Sequence, residues 1–302
     1  MAVRLFRRRE PEPAVRRDVA RAALVVRPEL VHTMAAAAAG AGRRETGGPL
    51  LGTVQRSWDG LRLAPLVSVL GTVPPGPAVE GRFSSVSLGR DGDGDRAAAA
   101  LRWLRSATGL DLLHVGDWHV HPSGLCRPSA GDTATARAMR DACAAPVWLV
   151  AVAVSTTDSG EALTVEGEVA RYRRERLETT EVRFYQALEH GLAAVPVRVE
   201  GHAIPRLPPL PWHVADPVRF AAECRLLDAA GFTTAIEAAP DGRPGLNLRL
   251  RRDGGQPLTI LTGPGYPQQE PVVLDEGGRR VTARSKWSPD RFLVDLVREA
   301  RR

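Results

Sequence analysis

The chain has 302 residues, 43% hydrophobic and 25% charged, proportions of a soluble globular protein with room for two ordinary domains. Its net charge of +6 rests on arginine, Lys286 being the one lysine, and no basic stripe interleaves with aromatics, so composition argues against a nucleic-acid partner. Three cysteines (Cys126, Cys143, Cys224) without C-x-x-C spacing, and no apolar run longer than Pro146 to Val154, argue against a disulfide framework and a membrane span, which makes a reducing cytoplasm the expected setting.

Residues 1–21 carry seven arginines with no apolar stretch behind them and read as a disordered basic arm, not a secretory signal. Leu24 to Val26 reads as a short strand. Pro28 suits the first position of a helix that runs through Leu30, Met34 and a string of alanines to about Gly40. Glu45 then precedes Thr46-Gly47-Gly48-Pro49, and strands are expected at Leu50 to Val54, Leu61 to Leu70 and Ser84 to Leu88, with a Pro/Gly loop over 72–81. Asp91 to Asp95 lacks the spacing and terminal Glu of a calcium loop, so it reads as a turn opening a helix from Arg96 to Ser106.

Residues 112–121 (Leu-Leu-His-Val-Gly-Asp-Trp-His-Val-His) read as a strand. Side chains alternate faces along a strand, so His119 and His121 project to one side, and His114 to the other. Asp117 falls on the side of the two ligand candidates, where it is expected to orient one of them as a hydrogen-bond acceptor. Pro122 ends the strand, and a short loop returns to Ser129 and to Asp132 at the start of a helix expected over 132–145. Two imidazoles and a carboxylate arriving together suit a divalent metal, Zn2+ first, and three protein ligands leave a fourth position open as catalytic zinc requires. Ser129 also suits the cap of the helix, and Glu45 has a plain alternative in pairing with Arg43 or Arg44. Val147 to Val154 follows as a buried strand and Ala162 to Tyr172 as a more polar one. The charged stretch from Arg173 to Gly191 has no clear assignment.

E-x-x-G-x-x-x-G from Glu45, followed by G-x-x-H-x-H-P-x6-S-x-x-D from Gly116 to Asp132, resembles the JAB/MPN (JAMM) metalloprotease family. The resemblance covers roughly residues 22–175. It implies a mixed sheet flanked by helices, with Glu45 as general acid/base, His119, His121 and Asp132 as zinc ligands, and Ser129 steadying an oxyanion. Asp117 departs from it, since an aromatic is common there.

Four prolines in Ile204 to Trp212 read as a stiff linker, which divides the chain into residues 22–200, a linker over 201–213 and a second domain over 214–302. That domain reads as a helix from Pro217 to Gly231, strands at Thr233 to Ala238, Leu246 to Arg251 and Leu258 to Thr262, and a last helix from Asp290 to Arg301. With Y-P-x-x-x-P-x-V from Tyr266 to Val273 and W-S-P from Trp287, the order is similar to the ubiquitin-conjugating (RWD-like) α+β fold. No Cys stands between Val273 and Trp287, so no thioester is expected there. Both resemblances together imply a zinc metallo-isopeptidase acting at the C-terminus of a ubiquitin-like protein, with that modifier or its conjugation machinery as partner. The rival readings are processing of a sulfur-carrier protein and a non-enzymatic scaffold that binds a ubiquitin-like protein.

Overall fold

The computed structural model describes residues 21–300 apart from 42–43, 60–61, 74–80, 83–84, 87–92, 122–123, 126, 143–146, 157–162, 176–177, 239–245, 253–254, 264 and 282–284. The expected basic arm, Cys126, Cys143 and most of the 72–81 loop lie outside the described residues.

In chain order the first part comprises β1 (Ala23–Val26), α1 (Pro28–Ala41), β2 (Gly47–Asp59), β3 (Arg62–Thr72), the two-residue strands β4 (Gly81–Arg82) and β5 (Ser85–Val86), α2 (Asp93–Thr108), β6 (Leu113–Val120), α3 (Ala130–Ala142), β7 (Leu149–Thr156), β8 (Leu163–Glu166), β9 (Val169–Glu175), β10 (Glu178–Leu188), β11 (Gly191–Ala194) and β12 (Val197–Val199). All but β4 and β5 join one mixed sheet in the order β12-β1-β3-β2-β6-β7-β10-β9-β8, with β11 beside β10. The α/β architecture expected from the sequence is the one that forms.

The sheet curls until its two ends meet, where the Val197 N–H donates to the Gly167 carbonyl at the β8–β9 turn, 2.9 Å. Helix α1 lies inside the curl. Its Leu30, Val31, Met34 and Ala38 pack on Leu24, Val67, Val69, Leu50, Val115, Trp118, Leu149, Ala151 and Phe184 from the inner sheet face. The outer face carries two separate layers. Over β2 and β3, Ala100 and Leu104 of α2 cover Leu51, Leu70 and Leu112. Over β7, Ala136 of α3 covers Trp148, Val150 and Val152. Between them runs β6, antiparallel to β2 and parallel to β7.

Two expectations change here. The polar strand expected over 162–172 is a hairpin, because Gly167 takes a positive φ of 57° that lets the chain reverse. The charged stretch without an assignment is β10, a strand that pairs with β7, β9 and β11. Its charges Glu181 and Arg183 alternate with buried Val182 and Phe184, so the period of two was present beneath the charge.

The second part contains α4 (Trp212–Ala215), α5 (Pro217–Ala229), β13 (Thr233–Ala238), β14 (Leu246–Arg251), β15 (Leu258–Thr262), β16 (Val272–Leu274), β17 (Arg280–Val281) and α6 (Leu293–Ala300). The strands form an antiparallel meander in sequence order, with their own apolar core of Trp212, Leu227, Phe232, Leu248, Leu250, Ile260, Leu293 and Leu296. Helix α6 begins at Leu293 and not at the expected Asp290, because the Asp295 carboxylate caps its first turn by accepting from the Phe292 N–H, 3.1 Å. The Pro-rich segment, read from the sequence as a stiff linker, lies against the first part: Ile204, Leu207 and Leu210 pack with Val214 against the α2 layer, and Arg27 donates to the Ile204 carbonyl, 2.7 Å. Among the described residues no helix is long and apolar enough to cross a membrane.

One buried carboxylate ties the second part together. Glu223, 1% exposed on α5, accepts from the Leu293 N–H at the start of α6 (2.8 Å), from Arg219 (2.7 Å) and from the Tyr266 hydroxyl. Arg219 in turn lies over the Phe292 ring and donates to the Arg291 carbonyl. Removing one member of a buried charged pair strands the other, at a cost of roughly 3–5 kcal/mol. Glu223→Ala is therefore expected to lower unfolding stability by that order in urea; a loss under about 1 kcal/mol would show that the network holds nothing.

Candidate metal centre

Strand β6 presents the site, and its geometry follows from backbone ladders on both sides. His119 pairs with Gly47 on β2 and with Val152 on β7. A Cβ at Gly47 would collide with the Trp118 carbonyl oxygen, so only glycine allows β2 to approach β6 this closely. The ladder continues one step beyond β2, where Val120 N–H donates to the Thr46 carbonyl, 2.8 Å. Glu45, the next residue back, is thereby set beside the end of β6.

Trp118 and Val120 point inward to α1, so His119 and His121 point outward, each 5% exposed. Their Nε2 atoms are 2.8 Å apart. Asp132 completes the group from α3, its Oδ1 3.3 Å from His119 Nε2 and its Oδ2 3.5 Å from His121 Nε2. The S-x-x-D spacing explains how it gets there. Ser129 is the N-cap of α3, its Oγ accepting from the Asp132 N–H (3.2 Å) while the Asp132 carboxylate accepts from the Ser129 N–H (2.6 Å). This reciprocal capping box fixes the rotamer of Asp132 and turns its oxygens to the imidazoles.

The three side chains fit a metal ion. One ligand atom from each lies within 4.8 Å of the others. Ligands at about 2.0–2.2 Å from a tetrahedral ion stand roughly 3.3–3.5 Å from one another, the spacing that Asp132 keeps from both rings. His121 Nδ1 faces the Leu125 carbonyl at 2.9 Å, and a carbonyl only accepts. Nδ1 therefore carries a proton and Nε2 is the nitrogen turned to the group, where it would offer its lone pair to a bound cation, an orientation typical of ligating histidines.

The electrostatics agree. Burial pushes the Asp132 carboxyl up, but its hydrogen bonds to His119 and His121 outweigh that and hold it far below the usual carboxylate range. Burial lowers His121, and hydrogen bonding to Asp132 and Leu125 overturns it, a net rise. Glu45 moves the other way from Asp132. Burial raises its pKa, only partly opposed by the charges of His119 and His121, so the two carboxyls of the site differ in proton affinity.

All five candidate residues (Glu45, His119, His121, Ser129, Asp132) thus come to one end of β6. Asp117 does not act as expected. It faces outward, but its Oδ1 meets His114 Nε2 at 2.9 Å and not a ring of the His pair. The cause is a β-bulge: Leu50 pairs with Gly116 and Leu51 with His114, so Val115 has no partner on β2. The extra residue reverses the alternation and brings His114 to the same face as Asp117, against Trp148 at 4.8 Å between ring centroids. Gly116, inside a strand pattern, was the signal for it. The Leu125 carbonyl that orients His121 had no signal, because a backbone acceptor carries no residue identity.

Residues 27–166, a little under half of the chain, match the family model of prokaryotic homologs of the JAB domain. The matched stretch holds all five candidate residues. A solution structure of a protein from Desulfitobacterium hafniense is similar at 15% identity, covering 59% of this chain and 92% of that one, with a TM-score of 0.38. No curated protein matches the chain.

His119→Ala removes one of three candidate ligands from the group. With Zn2+ as the probe, stoichiometric retention after dialysis is expected in the parent chain and lost in the variant. Equal ion content in both, measured by elemental analysis, would take His119 out of the ligand set.

Proposed function

We propose that this chain is a zinc-dependent metallo-isopeptidase that hydrolyses an amide or isopeptide bond at the C-terminus of a ubiquitin-like protein. The observation that carries the reading is the meeting of a buried His-His-Asp group with a separate, desolvated carboxyl, Glu45, from a distant part of the chain. Mixed nitrogen and oxygen donors, three in number, are the ligand set of catalytic zinc, which favours that ion over the harder cations. When bound, zinc supplies Lewis acidity that acidifies a water molecule and polarises the scissile carbonyl.

The chain's own residues do the rest. Glu45, its proton affinity raised by burial towards the working range of a general base, takes a proton from the attacking water and delivers it to the leaving amine. Ser129 spends its oxygen lone pair on the Asp132 N–H, which leaves its hydroxyl proton to donate to the developing oxyanion. A donor of that kind contributes about two to three powers of ten in rate. Asp132 and His121 stay fixed through the capping box and the Leu125 carbonyl, so the ligands need no rearrangement.

The substrate class rests on resemblance. Hydrolysis at a ubiquitin-like tail is what the JAB/MPN motif implies, and the match over 27–166 supports it. We divide the chain into a catalytic unit at 22–200 and a second unit at 214–302, joined by 201–213. The second unit's succession of α5, antiparallel meander, Tyr266-Pro267 turn and α6 resembles the ubiquitin-conjugating (RWD-like) order and supports that reading. Cys224 sits on α5, half-buried, and burial raises its thiol pKa, the reverse of what a transfer thiol needs. Its proposed role is recognition of a ubiquitin-like protein or of its conjugation machinery.

Glu45→Gln keeps the shape of the side chain and removes the base. Zinc content is expected to stay stoichiometric while cleavage of a panel of ubiquitin-like isopeptide conjugates and C-terminally extended carriers falls by at least about a hundredfold. Undiminished turnover in that variant would remove the proposed base, and cleavage of the extended carriers alone would move the substrate class to sulfur-carrier processing.

A further inference from the structure

His119 and His121 are each 5% exposed, yet the stretch that carries the chain from them to α3 is open to solvent at Gly124, Leu125, Arg127 and Ser129. This stretch is the exposed rim beside the candidate metal centre. Among the described residues three large apolar side chains are exposed, and two of them, Val218 and Leu226, lie on α5 in the second part. The third is Leu125, 39% exposed, on the rim. A single exposed leucine is ordinary on a protein surface. This one is set apart by where its backbone is held.

The Gly124 N–H donates to the His121 carbonyl, 3.1 Å, in a turn that the positive φ of Gly124, 74°, permits. The turn brings the Leu125 carbonyl to His121 Nδ1 at 2.9 Å. An imidazole is about 2 Å across, so that carbonyl lies about 5 Å from Nε2, the atom turned to the group. The side chain starts from the α-carbon next to this carbonyl, and the bond to His121 fixes its starting point. One residue of an extended chain spans about 3.3–3.6 Å. A substrate whose reacting carbonyl sits at the group therefore has only its nearest one or two residues within reach of Leu125. Leucine carries no side-chain donor or acceptor, so the chemistry it can recognise is apolar. Building on the isopeptidase reading, we infer that Leu125 is a specificity-determining residue that packs against an apolar substrate side chain one or two residues from the scissile bond.

The test reads binding and not turnover. The full chain, loaded with zinc, is titrated with fluorescent glycine peptides that carry a hydroxamate, a zinc chelator, at one terminus or the other. Each peptide has Leu, Asn or Asp at the first or second position from the chelator, and affinity is measured by anisotropy. At one or more of these positions Leu is expected to bind about tenfold more tightly than the similarly sized Asn. Leu125→Ala retains the backbone carbonyl, so zinc content is expected to stay stoichiometric while the preference for Leu falls below about twofold. Leu125→Arg is expected to replace it with a preference for Asp. Equal binding of Leu and Asn at every position, a Leu preference that survives Leu125→Ala, or no hydroxamate binding overturns the inference. Loss of zinc in Leu125→Ala also overturns it, by making the side chain a support of His121. Failure of the isopeptidase reading shows separately, as a parent chain that ranks the hydroxamates in the stated order yet cleaves no conjugate or extended carrier.

Discussion

Everything at the site depends on β6 being clamped on both edges. A strand carrying two histidines at i and i+2 presents both imidazoles to one face, but a free strand would let them swing apart. Here β2 fixes one edge and β7 the other, with His119 paired on both sides. The clamp needs unusually close contact, and glycine provides it twice. At Gly47 the Trp118 carbonyl occupies the space of a Cβ, and at Gly116 the Leu149 carbonyl does. The inner face adds a polar tie, the Trp118 indole donating to Thr72 Oγ1 at 2.7 Å. A rigid strand is what lets two imidazoles and a carboxylate share a small volume without metal-specific loops.

The third member of the group, Asp132, is held by a different device. A carboxylate on a flexible loop would meet the imidazoles only part of the time, and ordering it would cost side-chain entropy. The capping box removes that cost by giving Asp132 a second task, satisfying the orphan Ser129 N–H at the start of α3. The same four residues therefore end a loop, begin a helix and aim a candidate ligand. The cap uses the Ser129 oxygen as acceptor and does not engage its hydroxyl proton.

How much of this was legible in the sequence follows from where the information lies. The candidate ligands, Glu45 and the capping serine are side chains at fixed spacings, and period-two alternation places His119 and His121 on one face. The second part's strands β13, β14 and β15 keep their expected bounds because each is a clean β-branched or leucine run between turn residues. Strand β10 was hidden because Glu181, Arg183 and Glu178 raise its polarity, although Val182 and Phe184 alternate beneath. The partnership of His114 with Asp117 was misread because one unpaired residue at Val115 inverts every side chain before it. Leu125, which orients His121 through its carbonyl, lies beyond any reading of side-chain type.

The position of Glu45 relative to the imidazoles is set by two cores at once. Glu45 leads directly into β2, whose Leu50 is buried with α1 on the inner face while Leu51 is buried with α2 on the outer one. The outer core is completed by Ile204, Leu207, Leu210 and Val214, from the segment that joins the two parts of the chain. Leu207 lies so close over β3 that a Cβ at Gly71 would stand 3.0 Å from its Cδ1. At the other end of that segment Arg27, itself clasped by Glu29, donates to the Ile204 carbonyl and so joins it to the start of α1. Four prolines make the segment read as a stiff linker, and it also carries packing residues. Proline holds the segment extended, and the leucines between the prolines press it into the wall of the first part. The connection is therefore part of the same outer core that packs on Leu51 of β2, the strand into which Glu45 leads.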